Sequence, residues 1–461
     1  MCGSREPRAR LAGSLNPHAA RTRVWYHWGM ESVLQRQVPR RLAAAVLVAA
    51  VALAAVVIKW RSDAARATTD RVHQLHDQWI VLADRVHQLK AAGRLAEALQ
   101  TAQSSLAVAE QAYGRSHPAV AESLNELAQL KTELAMFDGV DEMFARAIAI
   151  QSAVTGPESP EVAASVNNLA LAYEKRGNDV EAERLYRRAV AMYEASVGEQ
   201  HDLTARGYNN LACLEDSRAA PAAAEPLHRR ALGIRQKVHG PAHLETAESL
   251  GNLASTLRSL GRLDESERLH REALAIRERA AGPMHPATAA SLAGLARTLV
   301  ELGRPAEAIA PALGAVAIRE KISGGRHAAT AFAVETLATV RATQGDVVAA
   351  RELLDRALGI RARANGPAHP KTADCLEMIA VLPAPPGESS ERTQARQREA
   401  AGLLERVTAI RSATLGKDHP ETVAAQRRLA VAWREAGDAT RADEIDSRLP
   451  AAESPRTPAA E

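Results

Sequence analysis

The stretch at residues 285–320 decides the fold, and it reads HPATAASLAGLARTLVELGRPAEAIAPALGAVAIRE. Its apolar residues recur every three or four positions on both sides of Gly303, which is the period of two amphipathic α-helices. Glycine between two such runs favours a helix end, because it adopts the left-handed conformation without the clash that a Cβ causes. The stretch therefore predicts a helix–turn–helix hairpin.

Copies of this hairpin fill most of the chain. Glycines recur at a constant interval, at positions 114, 156, 198, 240, 282, 324 and 366, and once more at 416. A His, or once a Ser, follows three positions after each glycine, and an apolar run centred on a pair such as Leu169-Ala170 comes next. The fixed period of 42 residues is typical of solenoids, in which each repeat packs on its neighbours. We count eight helix pairs and a short closing pair at 421–436 and 438–448, with an insertion at 383–390 that should form a loop.

Over roughly residues 69–449 the pattern resembles the 42-residue tetratricopeptide repeats of the kinesin light chain family. The resemblance implies an all-α, right-handed superhelical solenoid of about eight to nine helix pairs, with a groove lined by the first helix of each pair. It also implies that the residue before the Leu-Ala pair faces this groove, where asparagines hold the main chain of a peptide. The chain lacks the long heptad region by which kinesin light chains join a motor, so a motor role is not expected.

Asparagines and arginines form the predicted peptide-binding groove. Asparagine precedes the Leu-Ala pair in three consecutive repeats, and an amide can satisfy both donors and acceptors of a peptide backbone. Arginines on the same helices would pair with carboxylates of an acidic protein or peptide ligand. The alternative is that the asparagines are repeat consensus and the arginines a solvated face. The predicted site residues are Asn167, Asn168, Asn209, Asn210, Asn252, Arg206, Arg258 and Arg297.

Residues 42–58, LAAAVLVAAVALAAVVI, contain no charge. As a helix this run rises about 26 Å, and flanking cations and Trp60 favour a transmembrane helix or signal anchor. Residues 1–41 contain eight Arg, so the N-terminus is expected in the cytoplasm and the repeats on the far side of a single-pass membrane protein. The alternatives are a signal peptide that is cleaved before secretion and a buried soluble helix, with Met1 or Met30 as the start residue.

The predicted layout is a basic segment (1–41), the transmembrane helix (42–58), a linker (59–68), the solenoid (69–449) and a disordered tail (450–461). Apolar residues at heptad spacing over 72–89 indicate a seam that packs on the next helix or joins copies into a homo-oligomer. His73, His76 and His87 lie on the same helix, but they show no third-ligand geometry, so no metal is predicted. The repeated histidines are expected to start helices.

Several function classes are not favoured by the sequence. Aromatic residues make up only 3% of the chain, and the body beyond residue 41 is slightly acidic, which disfavours nucleic acid as a partner. No phosphate loop, nucleophile elbow or zinc-peptidase motif occurs, so neither an enzyme nor a cofactor is predicted. We therefore expect a membrane-anchored adaptor that binds peptide segments of partner proteins. The alternative is a structural scaffold that self-assembles through the 72–89 helix or the outer face.

Overall fold

The computed structural model describes residues 40–449, and every regular element in this part of the chain is an α-helix. Residues 1–39 of the predicted basic segment and the predicted tail at 450–461 lie outside the described residues. The chain divides into two units, Met1–Gln74 and Leu75–Glu461. The described helices are α1 Arg40–Ala91, α2 Leu95–Tyr113, α3 Pro118–Glu133, α4 Val140–Thr155, α5 Pro160–Lys175, α6 Asp179–Val197, α7 Asp202–Ser217, α8 Pro221–Val238, α9 Leu244–Ser259, α10 Leu263–Ala280, α11 Pro286–Glu301, α12 Pro305–Ser323, α13 Ala328–Thr343, α14 Val347–Ala364, α15 Pro370–Ala380, α16 Ser390–Leu415, α17 Pro420–Glu435 and α18 Ala439–Asp446.

The apolar run at 42–58 forms the start of α1 rather than a separate apolar helix. About half of its residues are alanine, and the same helix continues through Lys59, Arg61 and Asp63. Within residues 40–449, no helix combines the length and the apolar character that crossing a membrane requires. The predicted transmembrane helix is therefore wrong, and so is the predicted single-pass localisation with the repeats on the far side. Anchoring to a membrane has no support.

The second unit is a solenoid of helix hairpins. The first helices of successive pairs are α1 (its C-terminal part), α3, α5, α7, α9, α11, α13, α15 and α17, and the second helices are the even-numbered ones. From α3 onward, each first helix packs on the second helix of its own pair and on that of the preceding pair. Alanine and leucine fill these contacts: Ala254 and Leu257 of α9, for example, are completely buried. The predicted all-α solenoid of helix pairs is confirmed.

The turn inside each hairpin uses a left-handed residue. Glycine takes this conformation in most pairs, as at Gly303 with φ of 73°. Ala135 and Ala219 take it where glycine is missing, with φ of 55° and 57°. A Cβ in this region costs about 1–2 kcal/mol, so the packing of the two flanking helices determines the turn even where its residue is unfavourable.

The recurring histidine of each repeat caps the N-terminus of a first helix. His285 is extended, with φ of −90° and ψ of 147°, and its Nδ1 accepts a hydrogen bond from the backbone N–H of Ala287 at 3.2 Å. This bond satisfies one of the amides that an α-helix leaves without a partner in its first turn. The same cap recurs at His117, His201, His243, His327, His369 and His419.

The C-terminal part of the 72–89 seam packs inside the first hairpin. Val86 and Leu89 are buried against α2 and α3, and Trp79 donates its indole N–H to Ser123 Oγ at 2.9 Å. His76 hydrogen-bonds the hydroxyl of Tyr113, whereas His87 is exposed. Self-association through this helix has no support.

Candidate functional site

The first helices form one continuous face of the solenoid. From α3 to α11, each first helix contacts the first helix of the following pair. Among the described helices, no two second helices of neighbouring pairs contact each other to a similar extent. The hairpins are therefore closest together on the side of the first helices, and the body curves towards them. We call this side the groove.

The predicted asparagines divide into two rows on the groove side. Asn167 and Asn209 are buried between repeats, with 5% and 6% of their surface exposed. Asn210 donates its amide to Asn167 Oδ1 at 3.0 Å, and Asn252 donates to Asn209 Oδ1 at 2.7 Å. Asn168, Asn210 and Asn252 are half-buried at the surface. The buried row thus holds Asn210 and Asn252 of the surface row in place through bonds between consecutive repeats.

The three predicted arginines have different surroundings. Arg206 of α7 is exposed, and its Nη2 lies 3.5 Å from the hydroxyl of Tyr193. Arg258 of α9 forms an ion pair with Glu301 of α11. Arg297 of α11 lies over the ring of Phe332, with its guanidinium carbon 5.8 Å from the ring centroid.

A cavity of about 220 Å³ opens between α9 and α11. Its lining includes Asn252 and Arg258 of α9, His270 and Arg277 of α10, and Arg297 of α11, together with the hydroxyls of Ser255 and Ser291. Phe332 of α13 forms an aromatic wall. The structure therefore brings three of the predicted site residues, Asn252, Arg258 and Arg297, into one pocket together with two residues that the sequence did not single out.

Gly294 makes room for the imidazole of His270. Gly294 stands in α11 at the position that Asn168, Asn210 and Asn252 occupy in three earlier repeats. A Cβ at 294 would lie only 2.9 Å from both Nδ1 and Nε2 of His270, and closer still to the carbon between them. The ring edge that carries both nitrogens therefore points to the place where the missing side chain would start. His270 is 2% exposed, and neither of its nitrogens has a hydrogen-bond partner.

The charges around His270 keep its imidazole neutral. Burial lowers the pKa of His270 to about 4, and the positive charges of Arg258, Arg277 and Arg297 act in the same direction. Burial also lowers the pKa of Arg277, and partial desolvation in the groove together with the charge of Arg258 lowers the pKa of Arg297. An added negative charge in this pocket would relieve all of these effects.

His270 and Arg277 were missed because they lie on a second helix, away from the Leu-Ala pair that marks the groove. A signal was present. Residues 186, 228 and 270 are Tyr, His and His at the same place in three repeats, where the next two repeats have Ala312 and Leu354. Three polar residues in succession on an otherwise apolar position indicate a specific role.

Several solved structures are similar to this chain. A Rap protein complexed with Competence and Sporulation Factor matches with a TM-score of 0.52 and 15% identity, covering 81% of this chain and 97% of that one. Kinesin light chain-type, nearly identical TPR-like repeats from Podosopora anserina match at 26% identity with a TM-score of 0.38, over 44% of this chain and 97% of that one. BtubC (BKLC) from P. vanneervenii matches at 22% identity with a TM-score of 0.42, over 51% and 92%.

No curated protein matches the sequence significantly. A family model described as tetratricopeptide repeat matches residues 84–153, 141–195, 161–237, 221–279 and 245–321, and a second model with the same description matches 335–371 and 390–421. The first of these alone spans more than half of the chain. The predicted resemblance to tetratricopeptide repeats of kinesin light chain type is confirmed. The chain belongs to the tetratricopeptide repeat family.

Proposed function

We propose that this chain is a protein–protein interaction adaptor that binds an extended peptide segment of a partner in its groove. The observation that carries the proposal is the surface row Asn168, Asn210 and Asn252, which repeats once per hairpin at the same place on the first helix. A side-chain amide offers a donor and an acceptor, so a row of them matches the alternating N–H and C=O groups of an extended backbone.

The bonds below this row support the proposal. Asn210 and Asn252 each use one amide proton on the asparagine of the preceding repeat. Within residues 40–449 neither amide makes a second hydrogen bond, so its other proton and its carbonyl oxygen are available to a peptide. Because the bond fixes the side-chain orientation, less rotamer entropy is lost when a peptide binds. A solved Rap protein with the same fold is complexed with Competence and Sporulation Factor, which supports a ligand-holding role for such a solenoid.

The test compares the partners of the wild-type protein with those of the variant Asn168→Ala, Asn210→Ala, Asn252→Ala after crosslinking in native cells. Each hydrogen bond to a ligand contributes about 1 kcal/mol, so three losses should weaken binding by about a hundredfold. Segments of the recovered partners are then titrated against both proteins. Partners that are lost selectively from the variant support the groove as the binding site.

A matched control is Gln103→Ala, which removes an exposed side-chain amide from α2, a second helix away from the groove. It should retain every partner. Circular dichroism must show equal helix content in all three proteins, because the triple variant also leaves Asn167 and Asn209 without their donors. If the triple variant is folded and recovers the same partners as the wild type, the groove is not the site.

A further inference from the structure

Two consecutive repeats pair a buried polar side chain on the second helix with a carboxylate on the first. Tyr186 of α6 donates its hydroxyl proton to Glu174 of α5 at 2.9 Å. At the equivalent positions of the next repeat, His228 Nε2 of α8 lies 3.2 Å from Asp216 Oδ2 of α7. This pair of a buried polar side chain and a carboxylate therefore recurs at the same positions of the repeat, and the carboxylate forms a hydrogen bond with the buried side chain.

The third repeat in this series keeps the buried side chain and loses the carboxylate. Its two equivalent positions hold His270 and Arg258. A guanidinium has no acceptor and carries the opposite charge, so it cannot replace Asp216. His270 is left buried with two unbonded nitrogens. An unsatisfied buried polar group destabilises the fold, and a ligand that bonds to His270 would recover this loss.

Arg277 has lost its carboxylates in the same repeat. The equivalent Arg235 pairs with Glu245 at 3.1 Å and with Glu248 at 3.2 Å, both on the following first helix. In the next repeat, the positions of these two glutamates are taken by Ala287 and Ala290.

A second type of partner is missing as well. Arg361, two repeats after Arg277, pairs with Glu335 of its own hairpin at 2.8 Å. The matching residue for Arg277 is Gly251, whose Cβ position would lie 3.7 Å from the guanidinium nitrogens. Arg277 donates instead to two neutral oxygens, Ser291 Oγ at 2.6 Å and the carbonyl of Ala287 at 3.1 Å. Within residues 40–449, no carboxylate lies within 4.0 Å of Arg277.

We propose that the pocket between α9 and α11 is a carboxylate subsite, in which Arg277, Arg297 and His270 hold one acidic group of the peptide bound in the groove. This inference rests on the proposed peptide binding. Three arginines line the pocket, Arg258, Arg277 and Arg297. Arg258 forms an ion pair with Glu301. A planar carboxylate accepts two guanidinium bonds in parallel and can accept a third from an imidazole N–H.

The volume and the wall of the pocket fit one such group. About 220 Å³ holds a carboxyl group and the short stem of an acidic side chain, or the last residue of a chain. Phe332 offers an apolar surface to that stem. The glycines at 251 and 294 leave the space that the asparagine side chains of earlier repeats would fill. The row of asparagines would recognise only the backbone of the peptide. This pocket would recognise one side chain or the terminus of the peptide.

Bound carboxylate has a second consequence, because it places a negative charge beside His270. The charged groups around the ring are Arg258 on α9, Arg277 on its own helix α10 and Arg297 on α11, with Glu248, Glu301 and Glu335 farther out next to these arginines. A carboxylate would neutralise part of this positive field and accept the imidazole proton. The pKa of His270 should therefore rise by about one to two pH units on binding.

The experiment follows the ring signals of His270 by NMR in the full chain while blocked peptides are added. The probes are acetyl-Gly-Gly-Glu-Gly-Gly-amide, its Gln counterpart, acetyl-pentaglycine with a free C-terminus, and inorganic phosphate. If the Glu peptide shifts the ring signals of His270 and raises its pKa, the ligand is a side-chain carboxylate. If acetyl-pentaglycine with a free C-terminus does so, the ligand is a terminal carboxylate. No response to either peptide, an equal response to the Gln peptide, or tighter binding of phosphate overturns the proposal.

The variant Arg258→Asp gives His270 the internal partner that His228 has. It should abolish the response to the Glu peptide, since the new carboxylate occupies the place of the ligand. Arg268→Asp on the exposed face of α10 changes the net charge equally and should retain the response. Arg277→Met is a second test that leaves His270 unpaired, and it should weaken peptide binding at least tenfold. If Arg258→Asp and Arg277→Met both bind the Glu peptide as tightly as the wild type does, the proposed subsite is overturned.

The two proposals fail separately. If the triple asparagine variant keeps its partners while the Glu peptide still binds at His270, peptide holding by the asparagines is wrong and the pocket remains a carboxylate site. If the partners are lost from the triple variant and the peptides do not reach His270, the groove holds peptide and the subsite is wrong.

Discussion

The hairpin α7–α8 and the hairpin α9–α10 are built on one template and differ in how they treat buried charge. In α7–α8, His228 has Asp216 as its partner, and Arg235 is surrounded by carboxylates. In α9–α10, the same positions hold His270 without a partner and Arg277 with neutral oxygens only. The two hairpins have similar helices and turns although their charged residues differ. The fold therefore depends on the small and apolar positions, and the charged positions can change to form a binding site.

The largest expected effect is on the pH dependence of stability. The pKa of His270 is about 4 in the folded chain against 6.5 ordinarily, so above about pH 6.5 its ring is neutral in both states and its protonation does not oppose folding. The fold loses stability as the pH falls from 6.5 towards 4, because the unfolded chain then binds a proton that the folded chain does not. Between pH 7 and pH 4 the free energy of unfolding of the wild type should fall by about 3 kcal/mol more than that of His270→Gln.

Urea unfolding of both proteins, followed by circular dichroism at several pH values, measures this difference. The carboxylates of the chain titrate equally in wild type and variant, so their contributions cancel. Parallel pH profiles would contradict the claim that His270 is buried without a compensating anion, and the contrast between the two hairpins would then disappear.

The comparison also shows which features are readable from sequence. The solenoid was predictable because Gly303, the capping His285 and the Leu-Ala pairs recur at a fixed period, and each acts locally. The predicted membrane helix was wrong because the uncharged run at 42–58 has only 17 residues, at the short end of what spanning requires, and its helix continues through charged residues.

The pocket was only half predictable. Arg258 and Arg297 were expected in the groove because they follow the Leu-Ala register of the first helices. His270 and Arg277 reach the same cavity from a second helix because Gly294 and Gly251 leave space for them. That arrangement depends on packing across three helices, and a pattern read along one helix cannot show it. The sequence pattern also could not show that Asn167 and Asn209 accept bonds from the next repeat, and their predicted contact with a ligand stays a prediction.

A second prediction removes the partner from the hairpin that has one. Asp216→Ala takes the acceptor from both His228 and Thr256, whose hydroxyl donates to Asp216 at 2.7 Å. Leaving these groups unpaired should destabilise the fold by about 1–3 kcal/mol. At the equivalent position, Arg258→Ala loses a partly exposed ion pair with Glu301, which contributes about 0–1 kcal/mol. It also removes a positive charge that repels the protonated form of His270.

Thermal unfolding of the two variants beside the wild type tests the difference. Asp216→Ala should have the lower midpoint. If Arg258→Ala is destabilised as much as Asp216→Ala, then Arg258 has a structural role in α9–α10. The interpretation that a ligand takes the place of the missing carboxylate partner of His270 would then be wrong.

The smallest expected effect concerns the glycines in which the hairpins differ. Gly233 of α8 corresponds to Ala275 of α10, and no atom lies within 4 Å of the place where its Cβ would be. Gly233→Ala should therefore stabilise the helix by about 0.5–1 kcal/mol. Gly207 of α7 is the matched control, because its Cβ would lie 3.0 Å from Val190 Cγ2 and 3.3 Å from the ring of Tyr193. Gly207→Ala should gain nothing or lose stability, since the packed neighbours must move. Equal gains in the urea midpoint for both variants would mean that the spacing between α6 and α7 adjusts freely, and the tight packing that keeps His270 against Gly294 could then not be assumed either.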